Sequence, residues 1–170
     1  MEQFDIYDIY GKPTGFISER GMQLKVGQYY LGVHIYIYNS SNDFLLQQRS
    51  YDKTFLPGGW DVLLEHVIAG ESSKTGAIRG IQEEIGLYLQ HYDLHLAGRI
   101  VWEIYNHMID IYFLQADFNI NELSINDDEV IGIKTISADE MLSLVSKMDY
   151  RTIEYRTMVS SEINKLKTAV

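Results

Sequence analysis

Arg79, Glu83 and Glu84 lie within six positions of one another in the stretch EHVIAGESSKTGAIRGIQEEIGL, residues 65–87. Spread at ~100° per residue on a helix, Glu83 and Glu84 point to one side, while Ala77, Ile78, Ile81 and Ile85 gather on another. One face is thus suited to burial, and the other presents paired carboxylates to something positively charged. Hard oxygen ligands of this kind suit Mg2+ or Mn2+, ions commonly held between carboxylates and substrate phosphates. Ser72 or Ser73 is a suitable N-cap for the helix, and Gly86 is a suitable residue to end it. The dipole at its amino terminus adds to anion binding, although the carboxylates dominate the charge.

These residues need a scaffold, and the rest of the chain reads as one. Residues 5–16 predict a short hairpin around Gly11-Lys12-Pro13. YYLGVHIYIY, residues 29–38, predicts a strand with both faces covered, because Val33, Ile35 and Ile37 alternate with His34, Tyr36 and Tyr38. After a turn at residues 39–43, FLLQQRS predicts a second strand and hairpin partner. Pro57-Gly58-Gly59 marks a turn, and residues 60–64 a short strand entering the 65–87 stretch. Residues 94–105 and 108–117 predict another hairpin, the second arm having the β-branched and aromatic content of a central strand. A polar loop at 119–128 leads to a strand at 129–137, then to a short helix capped by Ser137. The last segment, 150–167, predicts a helix with a loose apolar stripe through Ile153, Met158, Ile163 and Leu166. His34 reads as either a ligand or a hydrogen-bonded core histidine. Tyr36, Tyr38, Trp102 and Tyr105 read as either core or a stacking platform.

Composition narrows the functional classes. The 170 residues are 46% hydrophobic, enough for one domain, 1–170, with a sizeable core. The net charge of −10 argues against broad binding to nucleic-acid polymers. With no cysteine there is no disulfide, no thiolate metal site and no cysteine nucleophile. No apolar run is long enough to span a bilayer, and the amino terminus does not resemble a signal peptide, so no membrane association and a cytoplasmic location are expected.

Residues 65–87 resemble the Nudix box, the pattern G-x5-E-x7-R-E-U-x-E-E-x-G-U with U aliphatic. Glu71, Arg79, Ile81, Glu83, Glu84, Gly86 and Leu87 match at the right spacing. Two positions depart from it: the leading glycine is Glu65, and the glutamate after the arginine is Gly80. Arg49, Lys53, Pro57-Gly58 and Trp60-Asp61 are similar to the approach to the box in Nudix proteins related to isopentenyl diphosphate isomerase. The resemblance implies a Nudix α/β/α sandwich with a mixed β-sheet, and a metal-dependent hydrolase that cleaves a small-molecule diphosphate, such as a nucleoside diphosphate derivative. It implies Mg2+ or Mn2+ held by Glu83 and Glu84, with Glu71 as a further metal candidate that is more structural than catalytic. Arg79 would pair with and orient carboxylates, being four residues before Glu83. The missing glutamate at position 80 commonly binds metal or acts as general base, so Glu129 is the candidate substitute from outside the box, in competition with Asp127 and Asp128. Glu65 either points outward or offers a new ligand. Arg49 and Lys53 read as phosphate contacts or as solvated charges.

The departures also support an alternative, a catalytically impaired Nudix domain that binds a nucleotide or metabolite. An isomerase ranks below both, because that enzyme type looks to require an active-site cysteine. Homodimers are common among proteins of this appearance, and the sequence is compatible with one.

Overall fold

The computed structural model describes residues 2–125 and 128–168. Its centre is β3 (Tyr30–Tyr38), whose alternating large residues are covered on both sides. Val33, Ile35 and Ile37 face one core cluster and Tyr36 the other, as the period of two in a strand requires. β3 runs parallel to β8 (His107–Gln115) and antiparallel to β6 (Leu63–His66). β8 pairs antiparallel with β7 (Leu94–Trp102) through the expected hairpin. β4 (Phe44–Arg49) meets β3 only at Tyr38↔Phe44, and its long partner is β9 (Val130–Ile136), with β5 (Trp60–Asp61) also paired to it. The expected β3–β4 hairpin is therefore reduced to its neck, because β6 takes the adjoining edge of β3. Among the described residues this makes a seven-stranded mixed sheet. The predicted amino-terminal hairpin forms from β1 (Gln3–Tyr7) and β2 (Pro13–Glu19), a separate two-stranded sheet tied to the main body at Tyr7↔Tyr29.

Helices cover both sides of the main sheet. α1 (Ser73–Ile85) is capped by Ser72, whose side chain accepts from the Thr75 amide. It ends at Gly86, in the left-handed conformation that glycine adopts without strain. Ala77, Ile81 and Ile85 are fully buried against β3 residues, each isoleucine contributing ~1.5–3 kcal/mol of burial. On the opposite side lie α2 (Ala138–Ser146), closed by a capping box from Ser137 and Glu140, and α3 (Ile153–Thr168). The fold is the expected α/β/α sandwich. The stripe on α3 holds in part: Ile163 is buried and Met158 and Leu166 pack against the core, but Tyr155 and Val159 carry the rest of the seam and Ile153 is 74% exposed. Ile153 opens the helix, and the four-residue spacing from Tyr155 places the core seam elsewhere.

Candidate functional site

β6 delivers the chain from the sheet into the loop before α1, and one arginine fastens that turn. The Arg79 Nε donates to Glu71 Oε1 at 3.0 Å, and Nη2 donates to Glu71 Oε2 at 3.1 Å and to the His66 carbonyl at 2.7 Å. Nη1 reaches Glu83 Oε2 at 3.2 Å and Glu65 Oε2 at 3.5 Å. Burial alone would lower the Arg79 pKa, but Glu71, Glu65 and Glu83 outweigh it and raise the value. Arg79 thus does what its spacing predicts. Glu71 braces the loop, accepting from Arg79 and from the Ile68 amide at 3.2 Å, and it does not line the cleft beside α1.

That cleft has a volume of about 540 Å³. Glu65 from β6, Glu83 and Glu84 from α1 and Glu129 from the turn before β9 reach it from three places in the chain, together with Arg49, Lys53 and Arg151. Glu83 and Glu84 both line the cleft, as the helical projection suggested, but at different depths. The Glu83 side chain is 59% exposed at the rim, whereas Glu84 is only 4% exposed, at the level of the core. Adjacent residues on a helix diverge by ~100°, which is enough to separate rim from floor. Glu84 Oε2 is buried and has no hydrogen-bond partner. Burial, then the charge of Glu65 and that of Glu129, raise the Glu84 pKa to about 8, while Gln47 and Arg49 act the other way.

Glu65 resolves one of the alternatives left open by the sequence: it points inward. Its Oε1 accepts from the His66 amide at 2.6 Å, and its side chain lies over α1 at Gly80. Burial raises the Glu65 pKa, opposed by Arg79 and by the His66 amide. Glu129 also reaches the cleft, where it is ion-paired with Lys53. Asp128 adjoins it in the turn before β9, and Asp127 lies outside the described residues. Arg49 is a half-buried wall residue, its Nε donating to the Phe55 carbonyl at 2.9 Å, and is not a plain solvated charge.

The lining around Arg151 was only partly legible in the sequence. Arg151 Nη2 donates to Asp61 Oδ2 at 2.7 Å, with side chains 1% and 0% exposed. The guanidinium lies 4.9–5.3 Å from the ring centroids of Trp102, Tyr155, Phe55 and Tyr150. His34 packs beside it, hydrogen-bonded through Nδ1 to the Tyr155 hydroxyl at 2.8 Å, so the core-histidine reading holds. Tyr36 is core as well, stacked on Phe113 at 4.8 Å. Trp102 and Tyr105 instead line the cleft, 4.5 Å apart and edge to face, with Phe55 beside them. The signals for this lining were Trp60-Asp61 in the approach to the box and Trp102 and Tyr105 as a candidate stacking platform; nothing in the sequence tied Asp61 to Arg151.

Among the described residues, no group of three or more His, Asp or Glu side chains is arranged to hold a metal ion by itself. Mg2+ seldom requires such a cage, since one or two carboxylates, water and substrate phosphate commonly suffice. The buried, unpartnered Glu84 oxygen, with Glu65 beside it, is a donor set that fits a divalent cation of this type. Among the described residues, no helix is long and apolar enough to cross a membrane.

Comparison with known proteins is consistent with this geometry. The chain is 27% identical over 154 residues to an uncharacterized Nudix hydrolase of Listeria monocytogenes, covering 88% of each chain. It is 30% identical over 138 residues to the isopentenyl-diphosphate Delta-isomerase of Pectobacterium atrosepticum, covering 76% of this chain and 73% of that protein. A crystal structure of a Deinococcus radiodurans protein superimposes with a TM-score of 0.72 at 15% identity, covering 97% and 99% of the two chains, a likeness of fold. A sequence profile described as the NUDIX domain matches residues 28–156, most of the chain and the whole of the cleft's central strands and helix α1. By fold and by sequence, this protein belongs to the Nudix family.

Proposed function

We propose that the chain is a divalent-cation-dependent hydrolase of a diphosphate linkage in a small organic molecule, with a nucleoside diphosphate derivative as the favoured class. The observation that carries this reading is the buried Glu84 oxygen without a partner, in a cleft that Arg49, Lys53 and Arg151 also line. A carboxylate in that position is costly unless something positive meets it. Glu84 and Glu83 are the candidate ligands for Mg2+ or Mn2+. The chemistry supplied by such a cation, once bound, is neutralisation of phosphate oxygens and activation of water.

The chain's own residues supply the rest. Arg49 and Lys53 orient the anionic diphosphate, and Arg79 keeps the carboxylates in place. Glu129 accepts the proton of the attacking water as the new bond to phosphorus forms and the bridging P–O bond breaks. Lys53 links the two roles: a phosphate that draws Lys53 away from Glu129 leaves that carboxylate free to take the proton. Phe55, Trp102 and Tyr105 offer aromatic surface to a flat organic group at the other end of the cleft.

The test is formation of the cleaved products, organic monophosphates or inorganic phosphate, from a panel of nucleoside diphosphate derivatives and isoprenoid diphosphates with Mg2+ or Mn2+. Turnover is expected to require the cation, to fall ~10–100-fold in Glu84→Gln, and to fall ~10²-fold or more in Glu129→Gln. Turnover that survives chelation, or that Glu84→Gln leaves unchanged, would sink the proposal. One observation favours a second reading, a binding domain with little turnover: Glu129, the candidate base, is held by Lys53. That reading predicts saturable binding of the same diphosphates without cleavage. An isomerase has no cysteine to work with here.

A further inference from the structure

The two departures from the box are Glu65, where the pattern has glycine, and Gly80, where it has glutamate. In the fold they touch. Gly80 is buried in the middle of α1, and a Cβ built on it would lie 2.9 Å from both the Cβ and the Cγ of Glu65. It would lie 3.5 Å from Glu65 Oε2. Real Cβ atoms do not approach other carbons that closely, so the space that a side chain at position 80 would occupy is already filled by Glu65. Nothing in the backbone asks for glycine there: Gly80 has helical geometry, and mid-helix glycine costs ~1 kcal/mol relative to alanine. The reason for Gly80 is therefore Glu65.

We infer that the site carboxylate has been transposed from α1 to β6, so that Glu65 takes the place of the missing helix glutamate as a ligand-bearing partner of Glu84. Glu65 stands on β6 opposite Val33 in the sheet register and reaches across to α1. Glu84 is one helical turn beyond Gly80, so a group lying over Gly80 shares its face of the helix. The carboxylate of Glu65 enters the same cleft as the unpartnered Glu84 oxygen, and Arg79 at 3.5 Å holds it from behind as it holds Glu83. The number of carboxylates at the floor is thereby conserved although the box is broken at two positions. The inference rests on the cation-dependent reading above and adds Glu65 to its candidate ligands.

The experiment is Mn2+ binding to the full, metal-free chain in the absence of substrate, followed by the free-Mn2+ resonance signal, with thermal melts of the same samples. Glu65→Gln keeps the packing and removes the charge; it is expected to weaken Mn2+ binding ~10–100-fold with little change in Tm. Gly80→Glu alone is expected to lower Tm, because two side chains then claim one space. The reciprocal pair Glu65→Gly with Gly80→Glu is expected to recover both Tm and Mn2+ affinity to within a few-fold of the native chain, a coupling that independent sites do not show. Mn2+ binding that depends on Glu84 but is unaltered in Glu65→Gln would overturn the transposition and leave the hydrolase reading standing. A double variant no better than Glu65→Gly would overturn it too. A native chain that binds no Mn2+ at all would remove both.

Discussion

Arg151 and Arg79 both line the cleft and each holds carboxylates, one of them a single acid and the other three. Arg151 meets a single acid, Asp61, with both side chains out of contact with water. Burial by itself would lower its pKa; Asp61 and the tyrosine hydroxyls around it raise the value instead. The other oxygen of Asp61 accepts from the Val62 amide at 2.9 Å, and four aromatic rings enclose the guanidinium. Arg79 faces Glu71, Glu83 and Glu65, and Glu84 lies behind them with no cation of its own. The buried pair beside the start of α3 balances its charges, although Arg151 Nε is itself buried without a hydrogen-bond partner. A buried carboxyl whose Oε2 meets no partner marks the place where folding alone leaves the site incomplete.

The largest expected effect follows from the balanced pair. Arg151→Met leaves Asp61 as a buried, uncompensated charge and is expected to cost ~3–5 kcal/mol of stability. Arg151→Met combined with Asp61→Leu should recover a large part of that loss, because both charges are then gone. Denaturant melts of the two singles and the double measure this directly. Additive losses would show that the pair is not a unit. Arg79→Gln is expected to cost less, since its carboxylates lie nearer to water and a divalent cation can take over some of its charge compensation.

Glu84 gives the opposite sign. Its pKa of about 8 in the metal-free fold lies above its ordinary value of 4.5, so between those values the folded state holds a proton that the unfolded state has released. Stability of the metal-free chain is therefore complete below the ordinary value and declines as pH rises toward about 8, by up to ~1.4 kcal/mol per pH unit. His34, His66 and His107 are all held below their usual range, chiefly by burial, so they are neutral in the fold while the unfolded chain still releases their protons up to pH ~7.5. Glu84→Gln carries the same three histidines, so the difference between the two chains isolates the carboxyl. As pH rises from ~6.5 to ~8 the Tm of the metal-free native chain should fall relative to that of Glu84→Gln, which should be the higher of the two at pH 8. The same substitution is expected to reduce turnover, so a residue that destabilises the empty fold would be one that the reaction needs. Equal pH profiles for the two chains would show that Glu84 is not ionising against burial.

The contrast also explains what was legible in the sequence. α1 was readable because its cap, its apolar face and its Gly86 stop are all local, and β3 because its alternation is uninterrupted. Arg79–Glu83 was readable because four residues make one helical turn. Arg151–Asp61 spans 90 positions, and no period or spacing links the two. The role of Gly80 was hidden for the same reason: from α1 alone it looks like a defect, and only the β6–α1 contact supplies its partner. The β3–β4 hairpin was over-read because sequence adjacency gives no warning that β6 competes for the same edge.

The smallest expected effect lies at the ion pair of Lys53 and Glu129 in the cleft lining. Their side chains are 23% and 40% exposed, so water and salt screen the pair, and its contribution to stability is expected to be ~0–1 kcal/mol. Lys53→Met should therefore barely move Tm. Its consequence should appear in the kinetics instead. If substrate phosphate takes Lys53 from Glu129, removing the lysine loses a ground-state contact, and KM should rise ~10-fold with kcat changed little. If Lys53 serves only to restrain Glu129, the substitution frees the base, and kcat should rise or hold with KM unaltered. Increasing salt separates the cases further: the KM of the native chain should climb as phosphate binding is screened, and that of Lys53→Met should climb less. A salt response identical in both chains would place the phosphate contact on Arg49 alone, the more enclosed of the two cations and the one already fixed to the Phe55 carbonyl.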